Sequence, residues 1–412
     1  MFRLAFRPRC ARVLAPSSRA THGALRPPPL LLRQMRVRRI QSSAGQDLPP
    51  EQPLPELDEM YEEPDLRTSN SARNATMFAV LGSAGVLLWA AMRTNSDTQA
   101  SVAQLQRERG WFAAGTITSE DLWRRKKFEL KRFLETRGRK LLDATQNLPA
   151  IPRNALLEWY THAANIYLNA PDSYKICCGI IALNISVFIA WKIPSLQPFM
   201  RNHFVDRPLT GRAHTLLTCM FSHQSFMHLF FNCYAFAGFG AAAGVYLQQQ
   251  QHDGPSKLLQ STSGYHFFAF FVSAGLLSSL ASNKLRLRTY DLIRTRLTGP
   301  TLRAAKSIVG GSLGASGAIY SCVVVSALAF PQAHVNIMFI PVDIPIRVAI
   351  CGTVLLDVIG LLRGWRLFDH VAHLGGAMFG LVYYMYGPRI WDTYRFFSAR
   401  WLSRKKKVAI ES

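Results

Sequence analysis

SLGASGAIYS, residues 312–321, opens a long apolar run on a serine set among glycines and alanines. A second run, FDHVAHLGGAMFG at 368–380, carries His373 inside what otherwise reads as a membrane helix. Ionisable groups in such segments are costly to bury and by default point to function. Whether the serine and the histidine belong together depends on the fold around them.

Working outward, the apolar residues are bunched, not spread, along the 412-residue chain. Seven runs approach the ~20 residues that span a bilayer: Ala75–Met92, Ile176–Ile193, Phe226–Leu247, Tyr265–Ser282, Gly310–Phe330, Ile337–Leu362 and His370–Tyr386. The pattern predicts an all-α polytopic membrane protein, a six-helix bundle preceded by one extra N-terminal transmembrane helix. Residues 93–175 between the first span and the bundle are polar. Within them SEDLWRRKKFELKRFLETRGRKLL sets Leu, Trp and Phe at helical spacing against a basic face. That helix fits an anionic membrane surface or plain solvent equally well.

The formal net charge of +23 is read as basic loops beside membrane helices plus a targeting peptide, so no nucleic-acid partner is expected. From Met1 to Gln46 arginines and serines occur without a single acid, the composition of a mitochondrial presequence drawn inward by the membrane potential. DLPPEQPLPELDEMYEEPD is an acidic, proline-rich linker. The expected organisation is presequence 1–41, linker 42–74, first transmembrane helix 75–92, polar insert 93–175, six-helix core 176–387 and basic C-terminal tail 388–412. The seven cysteines show no metal-ligand spacing and read as packing residues.

Alternate loops of the bundle carry Arg201, Arg207 and Arg212; Lys284, Arg286, Arg288, Arg294, Arg296, Arg303 and Lys306; and Arg363 and Arg366. The intervening loops offer only Lys257. The positive-inside rule places the basic face in the matrix, the N-terminus with it and the C-terminus in the intermembrane space. The RKKK tail, Arg404 to Lys407, runs against this.

Ser316, His373, His228 and Asn232 all fall shortly after a helix entry from that basic face. A serine hydroxyl needs a neighbouring base, and neutral imidazole is the usual one. His373, Gly376 and Gly380 share a helical face, and their G-x-x-x-G spacing admits a close helix such as the one carrying Gly314, Ser316 and Gly317. Tyr320, one turn after Ser316, would hold the imidazole. His228, Asn232 and the Ser316 amide would serve a developing oxyanion. Alone, a membrane serine ordinarily bonds its own helix backbone; the combination at matched depth is what carries the reading.

GASG with Tyr320 four residues after Ser316, AHLGGAMFG, and the set His223, His228 and Asn232 together resemble the rhomboid family of intramembrane serine proteases over roughly 176–387. The extra leading span and the presequence resemble its mitochondrial, presenilin-associated branch. The resemblance implies a Ser316–His373 dyad cleaving transmembrane protein substrates within the lipid bilayer of the mitochondrial inner membrane. Its precedents for such substrates are dynamin-like fusion GTPases and cytochrome c peroxidase. It implies no cofactor and no metal. Asp369, one turn before His373, reads as a helix cap instead of a third triad member. The Trp-Arg loop motif and the glutamate found in many rhomboids are absent here: GRAHTLLTCMFSH and GFGAAAGVYL stand in their places. The rival readings are a catalytically inactive rhomboid-like client-binding protein and a transporter using His228 and His373. Oligomeric state is not legible.

Overall fold

The computed structural model describes residues 68–109, 116–252, 256–296, 309–336, 342–365 and 368–411. The presequence, most of the linker, Cys10, Arg303, Lys306, Arg366 and the side chains of Lys405 to Lys407 lie outside the described residues. Among the described residues the regular elements are helices and one small hairpin. Four described helices are long and apolar enough to cross a membrane: Thr68–Glu108, Asp172–Ala190, Phe226–Gln251 and Gly264–Arg294. The remaining three expected spans differ in kind. One has only 14 residues, Ser316–Ala329. Another, Ile346–Arg363, carries Arg347, Asp357 and Arg363. The last opens on His370 and His373.

Helix α1, Thr68–Arg109, begins inside the expected linker and outruns the expected span at both ends. At 42 residues it is about 63 Å long. Its small residues Ala75, Ala79, Ala90 and Ala91 are buried against a later helix and Trp391. Buried Asn95 donates to the Arg395 carbonyl at 2.8 Å and accepts from the Arg395 guanidinium at 2.7 Å. The leading helix is therefore fastened to the bundle by polar bonds as well as by packing.

The polar insert is a helical hairpin. Helix α2, Ser119–Ala144, starts at a reciprocal cap between Thr118 and Asp121, and α3, Ala150–Asn169, returns along it. Tyr160 of α3 donates to the Leu134 carbonyl at 2.7 Å, passing over Gly138.

The bundle proper begins with α4, Asp172–Lys192, followed by the short α5, Gln197–His203, and α6, Thr215–Thr218. Next comes one rod in three parts: α7, Phe226–Ala235, a π-helical turn Phe236–Gly240, and α8, Ala241–His252. Helix α9, Gly264–Arg294, is the buried central rod, with Phe267, Phe270, Phe271 and Ala274 in the main core. Then follow α10, Ser316–Ala329, strands β1, His334–Asn336, and β2, Asp343–Pro345, α11, Ile346–Arg363, and α12, His370–Glu411. The strands pair antiparallel with Val335 opposite Ile344.

Several boundaries differ from the sequence reading for identifiable reasons. The expected span 310–330 begins only at Ser316, because Gly310 and Gly314 hold positive φ values of 48° and 129° in an extended loop. The expected span 337–362 starts at Ile346, since Pro345 fixes the turn out of β2. The expected basic tail is helical up to Glu411 and passes straight through Pro388. Proline there frees the Tyr384 carbonyl one turn back, and the Tyr246 hydroxyl takes it at 3.1 Å. Cys351 is exposed, unlike buried Cys177, Cys219 and Cys322.

Candidate active site

Helices α10 and α12 meet backbone to backbone. A Cβ on Gly376 would stand 1.9 Å from the Gly317 carbonyl oxygen, and one on Gly380 would stand 2.7 Å from that of Ser321. The Ser321 hydroxyl donates to the Gly376 carbonyl at 2.7 Å across the same seam. Any side chain at these positions would drive the helices apart. Gly317 is also closed off by Ser278 of α9, whose Oγ would lie 2.3 Å from an added Cβ.

This contact brings Ser316 and His373 together: Ser316 Oγ lies 2.8 Å from His373 Nε2. Ser316 is the first residue of α10, so its amide is among the free N–H groups at a helix start. The Tyr320 ring stacks on the imidazole, with centroids 4.4 Å apart and planes 11° from parallel. His373 is buried and Ser316 half-buried at the wall of a cavity of about 1100 Å³. Met227, Phe231 and Val323 make its apolar side, and Arg201, Arg207 and Arg286 line it as well.

The loop ahead of Ser316 is pinned at every step. Ser312 exchanges two backbone hydrogen bonds of 2.9 Å with Asp206, and the Gly314 amide donates to the Cys219 carbonyl at 2.9 Å. Gly314 needs both its positive φ and its missing Cβ, because a Cβ would lie 2.7 Å from the His228 ring. Asp206 sits buried among Asn283 and Thr215, and burial lifts its carboxyl to about 6 against those hydrogen bonds. His223, fully buried, stands with Nε2 3.5 Å from the Ala315 amide. Burial, with His228 beside it, lowers His223 to about 3 and keeps it neutral.

His228 and Asn232 both line the cavity with Ser316. The Asn232 amide nitrogen, however, donates to the His228 carbonyl one turn back at 2.8 Å. One of its two N–H bonds is therefore engaged within its own helix, leaving the other for the cavity.

Asp369 caps α12 through the Ala372 amide at 3.1 Å and receives Ser282 and the Arg286 guanidinium, the latter at 2.8 Å. Against its burial, Arg286, Ser312 and Ser282 hold this carboxyl below the usual range. An acid does face His373, but it is Asp357 of α11, whose Oδ1 lies 3.0 Å from Nδ1. The sequence reading missed it, although a lone aspartate in VLLDVIGLL is the very signal that singled out His373. His370, which the sequence reading gave no role in the site, has its Nδ1 2.6 Å from the same oxygen. Asp357, His370 and His373 are the group among the described residues whose ligand atoms all come within 4.8 Å of one another.

The arrangement runs carboxylate, imidazole, hydroxyl. An imidazole whose Nδ1–H is held by a carboxylate presents a bare Nε2 to the serine, as proton abstraction from a hydroxyl requires.

Residues 210–389 match the rhomboid domain family. The presenilin-associated rhomboid-like protein, mitochondrial, of Bos taurus is 31% identical over 224 residues, 54% of this chain and 51% of the relative. Its Homo sapiens counterpart is likewise 31% identical over 224 residues, covering 54% and 51%. Rhomboid protein 1, mitochondrial, of Saccharomyces cerevisiae is 29% identical over 209 residues, 50% of this chain and 52% of the relative. The chain spans about half the length of the curated relatives it matches.

Proposed function

Residues 210–389 of this chain are a rhomboid domain, and from that premise we propose that it is an intramembrane serine endopeptidase. Its substrates would be membrane-anchored mitochondrial proteins, of the kinds the family resemblance implies. The observation that carries the reading is the 2.8 Å approach of Ser316 Oγ to His373 Nε2 at the wall of a large cavity.

In this mechanism Ser316 Oγ attacks the scissile carbonyl while His373 Nε2 takes its proton. Asp357 holds the Nδ1 proton and stabilises the imidazolium that forms. The Ser316 amide, His228 and the second N–H of Asn232 face the developing oxyanion. His373 then protonates the departing amine, and a water entering through the cavity resolves the acyl-enzyme by the reverse proton path. The substrate helix must unwind locally to expose its peptide bond, so small or helix-breaking residues near the cut are favoured. The cavity wall between α7 and α11, apolar at Met227, Phe231 and Ala349, suits such a segment.

Basic loops on one face, together with relatives whose names place them in mitochondria, support an inner-membrane protein with the arginine-lined cavity opening toward the matrix. The N-terminus would share that side and the C-terminus would lie in the intermembrane space. A client-binding role without cleavage has no use for an aligned Asp357, His373 and Ser316.

The test is cleavage of a membrane-anchored reporter by the purified chain. Ser316→Ala and His373→Ala should each abolish the cut while melting like the parent protein. Undiminished cleavage by either variant would end the proposal.

A further inference from the structure

Asp357 does not serve His373 alone. His370 and His373 stand three residues apart on α12, and each points Nδ1 at the same Asp357 oxygen, at 2.6 and 3.0 Å. All three residues are more than nine-tenths buried. His370 Nε2 is buried with no hydrogen-bond partner, while the Tyr320 hydroxyl also reaches Asp357. A hydrolytic serine site needs one imidazole on its carboxylate, so His370 is surplus to that chemistry.

We propose that Asp357, His370 and His373 form a binding site for a borderline divalent cation, Zn²⁺ foremost, whose occupancy switches hydrolysis off. The binding half stands on the geometry alone; the switching half rests on the protease reading above. Two imidazoles and one carboxylate are the donor set of catalytic zinc sites, whereas Mg²⁺ and Ca²⁺ prefer oxygen ligands throughout. Zinc bonds of about 2.0–2.1 Å put neighbouring tetrahedral ligand atoms about 3.3 Å apart. To reach that separation the Asp357 contact to His373 needs to open by about 0.3 Å and the one to His370 by about 0.7 Å.

Binding is a proton exchange. Each ring gives up its Nδ1 proton while its Nε2 takes one up, so both imidazoles stay neutral, and the freed Nδ1 lone pairs, with one from the carboxylate, bind the metal. His373 then carries a cation at Nδ1 in place of a proton held by Asp357. With a proton already on Nε2, that ring has no lone pair to take the Ser316 proton, so the serine stays a hydroxyl. Loss of the metal restores the proton and the base.

A second pair of histidines provides the control. His203 Nδ1 lies 3.0 Å from His214 Nε2 at the surface of the loop region. Those two could collect metal adventitiously, without touching the hydrolytic group.

The experiment uses the full chain in detergent, carrying Ser316→Ala so that all three ligands remain, with Co²⁺ as the probe. One equivalent should produce the strong visible bands of a low-symmetry cobalt site, displaced by Zn²⁺. Adding His370→Asn should abolish them, and adding His214→Asn should leave them unchanged. If His370→Asn fails to fold, Asp357→Asn replaces it with the same expected loss. With Ser316 restored, Zn²⁺ should inhibit reporter cleavage. The half-inhibitory concentration should rise in His370→Asn by more than roughly tenfold, since even outer-sphere substitutions cost zinc sites that much. Absence of the bands, their survival in His370→Asn, or their loss in His214→Asn overturns the site. Bands with unimpaired cleavage overturn the switch. Bands in a protein that never cleaves fault the protease reading and leave the site standing.

Discussion

Asp357 Oδ1 lies 3.0 Å from His373 Nδ1, on the edge of the imidazole opposite Ser316. The contact joins α11 to α12 beside the seam that brings Ser316 in. Carboxylate, imidazole and hydroxyl thus stand in hydrogen-bonding order, where the sequence suggested two groups.

Asp357→Asn should therefore lower kcat by about 10²–10⁴-fold with little change in KM. The amide can donate to Nδ1 and favour the tautomer whose Nε2 already carries a proton. Steady-state kinetics on a membrane-anchored reporter would show it. An unchanged kcat would mean that helix packing and the Tyr320 stack alone orient the ring.

The α10–α12 seam should tolerate nothing larger than glycine. Gly376→Ala places a methyl 1.9 Å from a backbone oxygen that has no rotamer to escape by. Overpacking of this kind costs on the order of 1–3 kcal/mol, and displacing Ser316 from His373 by 1 Å can cost about 10²-fold in rate. Gly352→Ala, with open space around its position, should change neither melting nor cleavage. Equal behaviour of the two variants would refute the close-packed seam.

Much of this site was legible because small residues announce close approach. Gly317, Gly376 and Gly380 are spaced for it, and the structure uses each of them. What spacing could not reveal was Asp357, which belongs to another helix and shares no motif with His373. Element ends were less legible. The chain beyond Tyr386 read as a basic tail, yet the helix continues through Pro388, where the Tyr246 hydroxyl satisfies the carbonyl it frees. The expected helix from Ile337 takes in Asp343–Pro345, yet these form β2 and pair with β1 by a contact no local pattern signals. The start of α10 was misplaced because Gly314 read as a helix-packing glycine, whereas it and Gly310, the expected first residue of the span, lie in a loop with positive φ.

Asp206 should make stability fall with rising pH. Burial raises its carboxyl to about 6, opposed by Asn283 and Thr215 and by Arg286, and reinforced by Asp369. The folded state thus holds that proton more tightly than the unfolded chain. The associated stability is fully present below about pH 4 and is lost as pH rises through about 6. Asn in place of Asp206 removes the proton and the slope with it. The check is the apparent thermal midpoint of detergent-solubilised protein across that window; an undiminished slope in Asp206→Asn would assign the effect elsewhere.

The most direct test of the central claim is to react the purified chain with a fluorophosphonate and map the adduct by mass spectrometry. Activation of a hydroxyl by His373 predicts a single phosphonylated serine, Ser316, with labelling lost in His373→Ala and parallel to loss of reporter cleavage. Labelling of a different serine, or of Ser316 at the same rate without His373, would contradict it.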